Sequence, residues 1–271
     1  MIWRDPRLRR ALLVSLGMTV LIVVVVGLRG PEDSFPLVVG LVGVMAVLQA
    51  LMLFGPANGS PALQQARSLY RRGRFVDVID VLEQYLATEE SEDAAVKVQT
   101  LTLLGNTYRQ VGSLAESEAR LRSAVELAPE DKQALYGLGR TMLARGEYQR
   151  AVRHIEASLE NGQRPAVRAE LALAMYYAEG QFDSLVKFTR KASHLWNLED
   201  YRTLILNYLL YNLVDDDHER EIAQRVCQNT VRGVAYWESQ ARRYADTDYG
   251  RRLAADVVAI KTLASKEQSS Q

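Results

Sequence analysis

The sequence predicts an all-α protein: a two-helix transmembrane hairpin, then an α-solenoid of stacked helix pairs closed by C-terminal capping helices. Two observations carry this. Gly112, Gly146 and Gly180 recur at steps of about 34 residues, and two positions after each stands a bulky apolar residue, Leu114, Tyr148 and Phe182. A period of that length marks helix–turn–helix units that cannot bury their own apolar faces and must stack on copies of themselves. The second observation is that residues 11–28 and 37–54 carry no charge and are almost wholly apolar. Each run has about 18 residues, near the length that crosses ~30 Å of hydrocarbon as a helix.

Taken in chain order, the hairpin (residues 1–55) comes first. Both spans must be helical, because lipid offers no partner to unpaired backbone groups. Between them, Arg29-Gly30-Pro31-Glu32-Asp33-Ser34-Phe35-Pro36 reads as a tight polar turn, with Ser34 capping the second helix and Pro36 in its first turn. Arg4, Arg7, Arg9 and Arg10 precede the first span, only Arg29 lies in the turn, and Arg67, Arg71, Arg72 and Arg74 follow the second. That distribution places both termini and the repeats on the cytoplasmic side of a cell (inner) membrane, as a multi-pass protein. A cleaved signal peptide fits less well: no small-residue cleavage site follows Leu28, and a second full-length span comes at once. Ala11, Ser15 and Thr19 in the first span and Gly40, Gly43, Ala46 and Ala50 in the second form small-residue stripes, which are expected to face each other or a partner's helices. Gln49 is expected to make an interhelical hydrogen bond.

Residues 56–61 form a linker rich in proline and glycine, with Ser60 the N-cap and Pro61 the first residue of the next helix. Residues 62–195 hold about four repeats. The best covers 98–131, with Leu101, Leu104-Gly105, Tyr108, Gly112, Leu114, Leu121, Ala124 and Pro129. The following one has Leu135, Leu138-Gly139, Met142, Gly146, Tyr148, Ala151 and Ile155, its proline displaced to Pro165. A weaker copy carries Tyr176, Gly180, Phe182 and Ala192, with Leu173 where a glycine is expected. An earlier one carries Ala66, Gly73-Arg74-Phe75 and Leu82, with Tyr85 at a normally small position. This pattern resembles the tetratricopeptide repeat family, over roughly half of the chain. Ser117 replaces the family's alanine, small for small.

The physics of the pattern is explicit. Gly105 and Gly139 let the two helices of a repeat approach closely, and Gly112, Gly146 and Gly180 stand where a helix ends and a turn residue takes positive φ. Tyr148 and Phe182 are expected to lock into the groove between neighbours. After Trp196 the period lapses. Residues 201–213 are expected to be buried, Asp215-Asp216-Asp217 opens a helix whose N-terminal dipole favours negative charge, and two further helices run to about Ser265. Residues 196–265 thus cap the solenoid, and 266–271 form a disordered tail.

The chain has 271 residues, a formal net charge of zero and one cysteine, Cys227. Zero net charge argues against a nucleic-acid partner. A lone cysteine makes no internal disulfide and no zinc or redox pair. Its expected role is a small buried apolar residue. His154, His194 and His218 have no metal-ligand spacing, and Asp215-Asp216-Asp217-His218 lacks a glycine-punctuated loop of oxygen ligands. With no phosphate-binding glycine loop and no G-x-S-x-G elbow, the sequence points away from an enzyme, a cofactor and a small-molecule substrate.

The resemblance implies a right-handed solenoid that binds protein partners in a concave groove lined by first helices. By register the groove residues are Arg67, Tyr70, Arg71, Asn106, Arg109, Gln110, Tyr136, Arg140, Glu170 and Tyr177. Four arginines among tyrosines suit an extended or helical peptide of acidic character. Asn106 and Arg140 match the family's carboxylate clamp only loosely, its lysines being absent. The function expected is a membrane-anchored scaffold that assembles or recruits a membrane-associated complex. The alternative is an integral accessory subunit that packs through its spans. Whether the C-terminal helices fill the groove is open at this level.

Overall fold

The computed structural model describes residues 6–29, 31–54, 60–88, 93–179 and 182–265. The expected tail at 266–271 and most of the linker lie outside them. The chain divides into two compact units, residues 1–58 and 59–271.

The first unit is a helix pair, α1 (Pro6–Arg29) and α2 (Pro31–Phe54). The polar turn is shorter than its sequence suggests. Helix α2 already begins at Pro31, so Ser34 lies inside it, and Pro36 is an interior proline rather than a first-turn one. The two helices pack antiparallel, and Gln49 Nε2 donates to Ser15 Oγ across them, as expected. Thr19 Oγ1 instead bonds back to the Ser15 carbonyl at 2.8 Å.

The small-residue stripes do not meet. The half-buried positions among the described side chains are Val14, Ser15, Met18, Ile22 and Val26 on α1 and Val38, Leu41, Met45 and Gln49 on α2, while Thr19, Gly40, Gly43 and Ala46 are exposed. A Cβ added to Gly40 or Gly43 would meet nothing within 4 Å. The reason is geometric. The Ser15–Gln49 bond sets the rotation of each helix, and a step of two residues from Val38 or Leu41 turns about 200° away from the contact. The side chains of Ala11 and Ala50 lie outside the described set. Described side chains run from Val14 to Val24, from Val26 to Leu28 and from Pro36 to Gln49. Among the described residues no helix is long and apolar enough to cross a membrane, although the runs at 11–28 and 37–54 fall inside α1 and α2.

The second unit is a row of helix pairs: α3 (Pro61–Arg71) with α4 (Phe75–Thr88), α5 (Ala94–Val111) with α6 (Leu114–Leu127), α7 (Lys132–Ala144) with α8 (Tyr148–Glu160), and α9 (Arg168–Tyr177) with α10 (Phe182–Ser193). Next, α11 (Asp200–Leu213) and α12 (Asp217–Asn229) pack on each other, and α11 packs on α9 and α10 as a further pair would. The chain ends with α13 (Val234–Arg243) and α14 (Asp248–Ser265).

Polar caps start these helices where the sequence places them. Ser60 Oγ accepts from the Leu63 amide at 3.2 Å, with Pro61 following. Asp93, Asp131 and Asp216 do the same for α5, α7 and α12. Gly112 and Gly146 end first helices at φ +88° and +80°. Gly180 lies outside the described residues.

Close approach explains the other two glycines. A Cβ at Gly105 would stand 2.5 Å from Leu121 Cγ, and one at Gly139 would stand 2.6 Å from Ile155 Cγ1 and 3.1 Å from the Ile155 backbone nitrogen. Ser117 Oγ and Thr141 Oγ1 share a buried hydrogen bond of 2.8 Å, which joins α6 to α7 and satisfies the hydroxyl at the family's alanine position. Leu114 and Tyr148 pack against the main core, but Phe182 does not lock in and is 52% exposed. Tyr148 meets Tyr177 of the next first helix at 5.3 Å, whereas the space beside Phe182 stays open between α10 and α12. Cys227 is fully buried, and burial pushes its thiol up to about 12.

Replacing Gly139 with alanine tests whether close helix approach outweighs helix propensity. Alanine alone would stabilise a helix by roughly 0.5–1 kcal/mol. Overpacking against Ile155 costs about 1–3 kcal/mol. Gly139→Ala is therefore expected to lower the urea-unfolding midpoint, and a raised midpoint would reject the packing account.

Candidate partner groove

The first helices α5, α7, α9 and α11 turn one face to the same side, and α13 and α14 lie across it. Tyr244 Oη donates to the Arg109 carbonyl at 3.0 Å, and Arg243 Nη1 donates to Gln110 Oε1. Arg140 Nη2 donates to Tyr236 Oη at 3.0 Å. Tyr148 Oη reaches Asp248 Oδ2 at 2.6 Å. Tyr177 and Tyr208 both donate to Asp256, the latter at 2.9 Å. Burial holds the Asp256 carboxyl above its ordinary range, against the pull of the two hydroxyls. Leu253, Val257, Ile260 and Leu263 of α14 belong to the same core cluster as Met142, Leu171 and Leu204. The C-terminal helices therefore fill this part of the groove.

Most of the expected groove residues are engaged inside the chain. Arg109 is 6% exposed; its Nη2 donates to Asn106 Oδ1 at 3.1 Å, and its Nε has no partner. Tyr136 Oη accepts from Arg140 Nη1 at 3.1 Å. Glu170, 1% exposed, accepts from Arg202 at 2.9 Å and lies 3.5 Å from Arg140. Arg202 also holds Glu199 at 2.6 Å. Burial works against the Arg202 charge, but the Glu170 carboxylate more than offsets it, and the guanidinium is held above its ordinary value. Arg202 escaped the sequence reading. Its offset of 32 residues from Glu170, close to the repeat period, is the signal that links them. Tyr177 is buried under α14.

The open part lies at the other end. Arg67, Gln99, Thr102, Leu103, Asn106, Asp131 and Gln133 line a cavity of about 410 Å³ between α3, α5 and the start of α7. Arg67 Nη2 donates to Gln99 Oε1 at 2.7 Å. Asn106 Nδ2 is anchored on the Thr102 carbonyl at 2.9 Å. Asp131 is occupied as a cap, accepting from the Gln133 and Ala134 amides at 3.0 and 2.8 Å. The Thr102 hydroxyl is buried without a partner. Tyr70 stacks edge-on against Phe75 at 5.3 Å and accepts from Gln110, and Arg71 is exposed. Of the expected residues, the cavity thus gathers Arg67 and Asn106. Gln99, Thr102 and Leu103 were missed, although the spacing 99, 102, 103, 106 puts them on the face of Asn106.

Asp215-Asp216-Asp217 forms a helix start: Asp216 Oδ1 accepts from the Glu219 amide at 2.7 Å. Among the described residues no group of histidine, cysteine and carboxylate side chains is arranged to hold a metal.

Removing the charge of Glu170 leaves Arg140 buried without a carboxylate and Arg202 with Glu199 alone. Glu170→Gln is expected to cost about 3–5 kcal/mol in urea unfolding. An unchanged midpoint would mean that the two arginines are satisfied without it.

No curated protein matches the chain in sequence. Among solved structures, MamA from MSR-1 is 19% identical with a TM-score of 0.48, over 64% of this chain and 94% of that one. A putative kinesin light chain from Podosopora anserina with nearly identical TPR-like repeats is 20% identical with a TM-score of 0.49, over 65% and 93%. YrrB, described as a TPR protein with an unusual peptide-binding site, is 17% identical with a TM-score of 0.43, over 70% and 95%. Residues 108–174, from the end of α5 through most of α9, match the tetratricopeptide repeat family model.

Proposed function

We propose that the chain is a membrane-anchored repeat scaffold that binds segments of other proteins at the cytoplasmic face of a membrane, and so assembles or recruits a membrane-associated complex. The observation that carries the binding role is the open cavity of α3, α5 and α7. It is lined by polar side chains around Leu103 and holds an unpartnered buried hydroxyl at Thr102. A buried polar atom left unsatisfied costs free energy, and a bound main chain would supply its partner. The family matched by residues 108–174 is a repeat family.

The anchoring role is supported by the two uncharged runs at 11–28 and 37–54 and by the apolar surface of the helix pair. Leu16, Val20, Val23 and Leu28 on α1 and Val39, Val42, Val44 and Val47 on α2 are all exposed. Such a surface calls for a cover of lipid or protein. A second reading, an integral accessory subunit, is favoured by one observation: Gly40, Gly43 and Ala46 face away from α1. Small residues on an outward face permit close approach of another helix in lipid.

Three experiments test these readings. Affinity capture of the full chain in mild detergent is compared with Arg67→Glu. The scaffold reading expects a captured protein to be lost from the variant while its melting temperature stays put, and undiminished capture rejects the cavity as the site. Membranes are then washed at alkaline pH. Retention in the pellet is expected for an anchored chain, and release to the supernatant rejects anchoring. If an unrelated anchor in place of residues 1–55 abolishes assembly, the subunit reading replaces the scaffold.

A further inference from the structure

A second surface lies away from the groove, where α10 runs beside the start of α12. Phe182, Val186, Leu213 and Val214 supply its apolar lining, in an open cavity of about 500 Å³. That is within the range of ordinary ligand clefts, ~300–1,000 Å³. Beneath it sits a small apolar cluster of its own, Leu210, Val214 and Ala223 with Val186 and Tyr211 against them. Phe182 lies at the rim, 52% exposed, although the equivalent Leu114 and Tyr148 pack into the main core. The repeat thus places a large ring at a position built for insertion and provides nothing to insert beside it.

The charges around the rim are unequal. Asp183, Asp215, Asp216 and Glu219 stand against Lys187 and Arg190. Glu219 holds Arg190 in a two-point ion pair at 2.7 and 2.8 Å, so that cation is already neutralised. Asp216 caps α12. Asp183 and Asp215 are exposed and face the cavity with Lys187, among the described residues, as the one unpaired cation of its lining; Arg220, which donates to the Val214 carbonyl at 2.7 Å, is paired with Asp217. An apolar cleft under a negative rim complements a large apolar side chain flanked by positive ones.

We propose that this cleft docks a segment of a protein partner in which a large apolar side chain is flanked by lysine or arginine. The surface is separate from the groove, and the proposal stands or falls independently of it. The apolar side chain enters beside Phe182 and Val214, and the flanking cations pair with Asp183 and Asp215. Burial of the apolar contact supplies the drive, and the rim selects the sign of the partner's charge.

The test uses the full chain in nanodiscs of uncharged lipid and two fluorescently tagged, end-blocked peptides, Lys-Lys-Leu-Phe-Leu-Lys and its counterpart with glutamate for each lysine. Fluorescence anisotropy is expected to show the basic peptide binding at least about tenfold more tightly, with affinity falling as salt rises. Asp183→Lys/Asp215→Lys is expected to weaken it about tenfold or more, and Phe182→Ala, which leaves the rim charges in place, to weaken it as well. Equal binding of the two peptides would overturn the proposal. So would affinity for the basic peptide that neither variant changes, or competition by lysine amide alone as effective as by the whole peptide.

Discussion

A single buried carboxylate organises the repeat unit. Glu170 is 1% exposed and lies between Arg202 at 2.9 Å and Arg140 at 3.5 Å. It thereby joins three successive first helices, α7, α9 and α11. A charge taken out of water is tolerated only with close partners and satisfied hydrogen bonds. Arg140 meets that condition through Tyr136 and Tyr236, and Arg202 through Glu199. The Tyr236 bond has a structural consequence: it brings α13 over the site. Once α13 is there, Trp237 Nε1 finds the Tyr201 carbonyl at 2.7 Å, and the turn into α14 carries Asp248 and Asp256 to three tyrosines. The closed half of the groove follows from making a buried ion network complete.

What was legible in the sequence is what local sterics dictate. Gly112 and Gly146 stand at positive φ, and Gly105 and Gly139 stand where a Cβ would strike the partner helix. These demands recur once per repeat and therefore show as a period. The cap at Ser60 and the aspartate start of α12 are equally local. The closure of the groove was not legible. It depends on pairs such as Arg140–Tyr236 and Tyr177–Asp256, which are far apart along the chain and follow no period. Register alone placed Arg109, Glu170 and Tyr177 on the groove face and left its cover undecided, because register describes where a side chain points and not what covers it.

The helix pair at the N-terminus shows the same limit in another form. Both helices are apolar nearly all round, so sequence offers little to choose one contact face over another. One polar pair settles it. Gln49 reaches Ser15, the large side chains Met18, Ile22, Leu41 and Met45 rotate inward, and the glycines face out. Where dispersion contacts are similar on every face, one interhelical hydrogen bond decides the rotation. Gly40, Gly43 and Ala46 of the second stripe then stay available instead of being consumed within the pair.

Closure also changes what the open cavity can read. Four arginines in one groove would select an acidic sequence, but Arg109 and Arg140 are drawn into the chain's own contacts, and only Arg67 lines the cavity. Around it stand amides, Gln99, Asn106 and Gln133, with the unpartnered Thr102 hydroxyl. Amides and hydroxyls both donate and accept. They match a peptide main chain at every residue, whereas a guanidinium matches only carboxylates and carbonyls. The cavity is therefore suited to gripping an extended backbone, with Leu103 as its apolar contact and Arg67 as its one selective charge. Under the proposed role, sequence preference of a partner is expected to be narrow at the position facing Arg67 and loose elsewhere, as for a scaffold that accepts related segments rather than one fixed ligand.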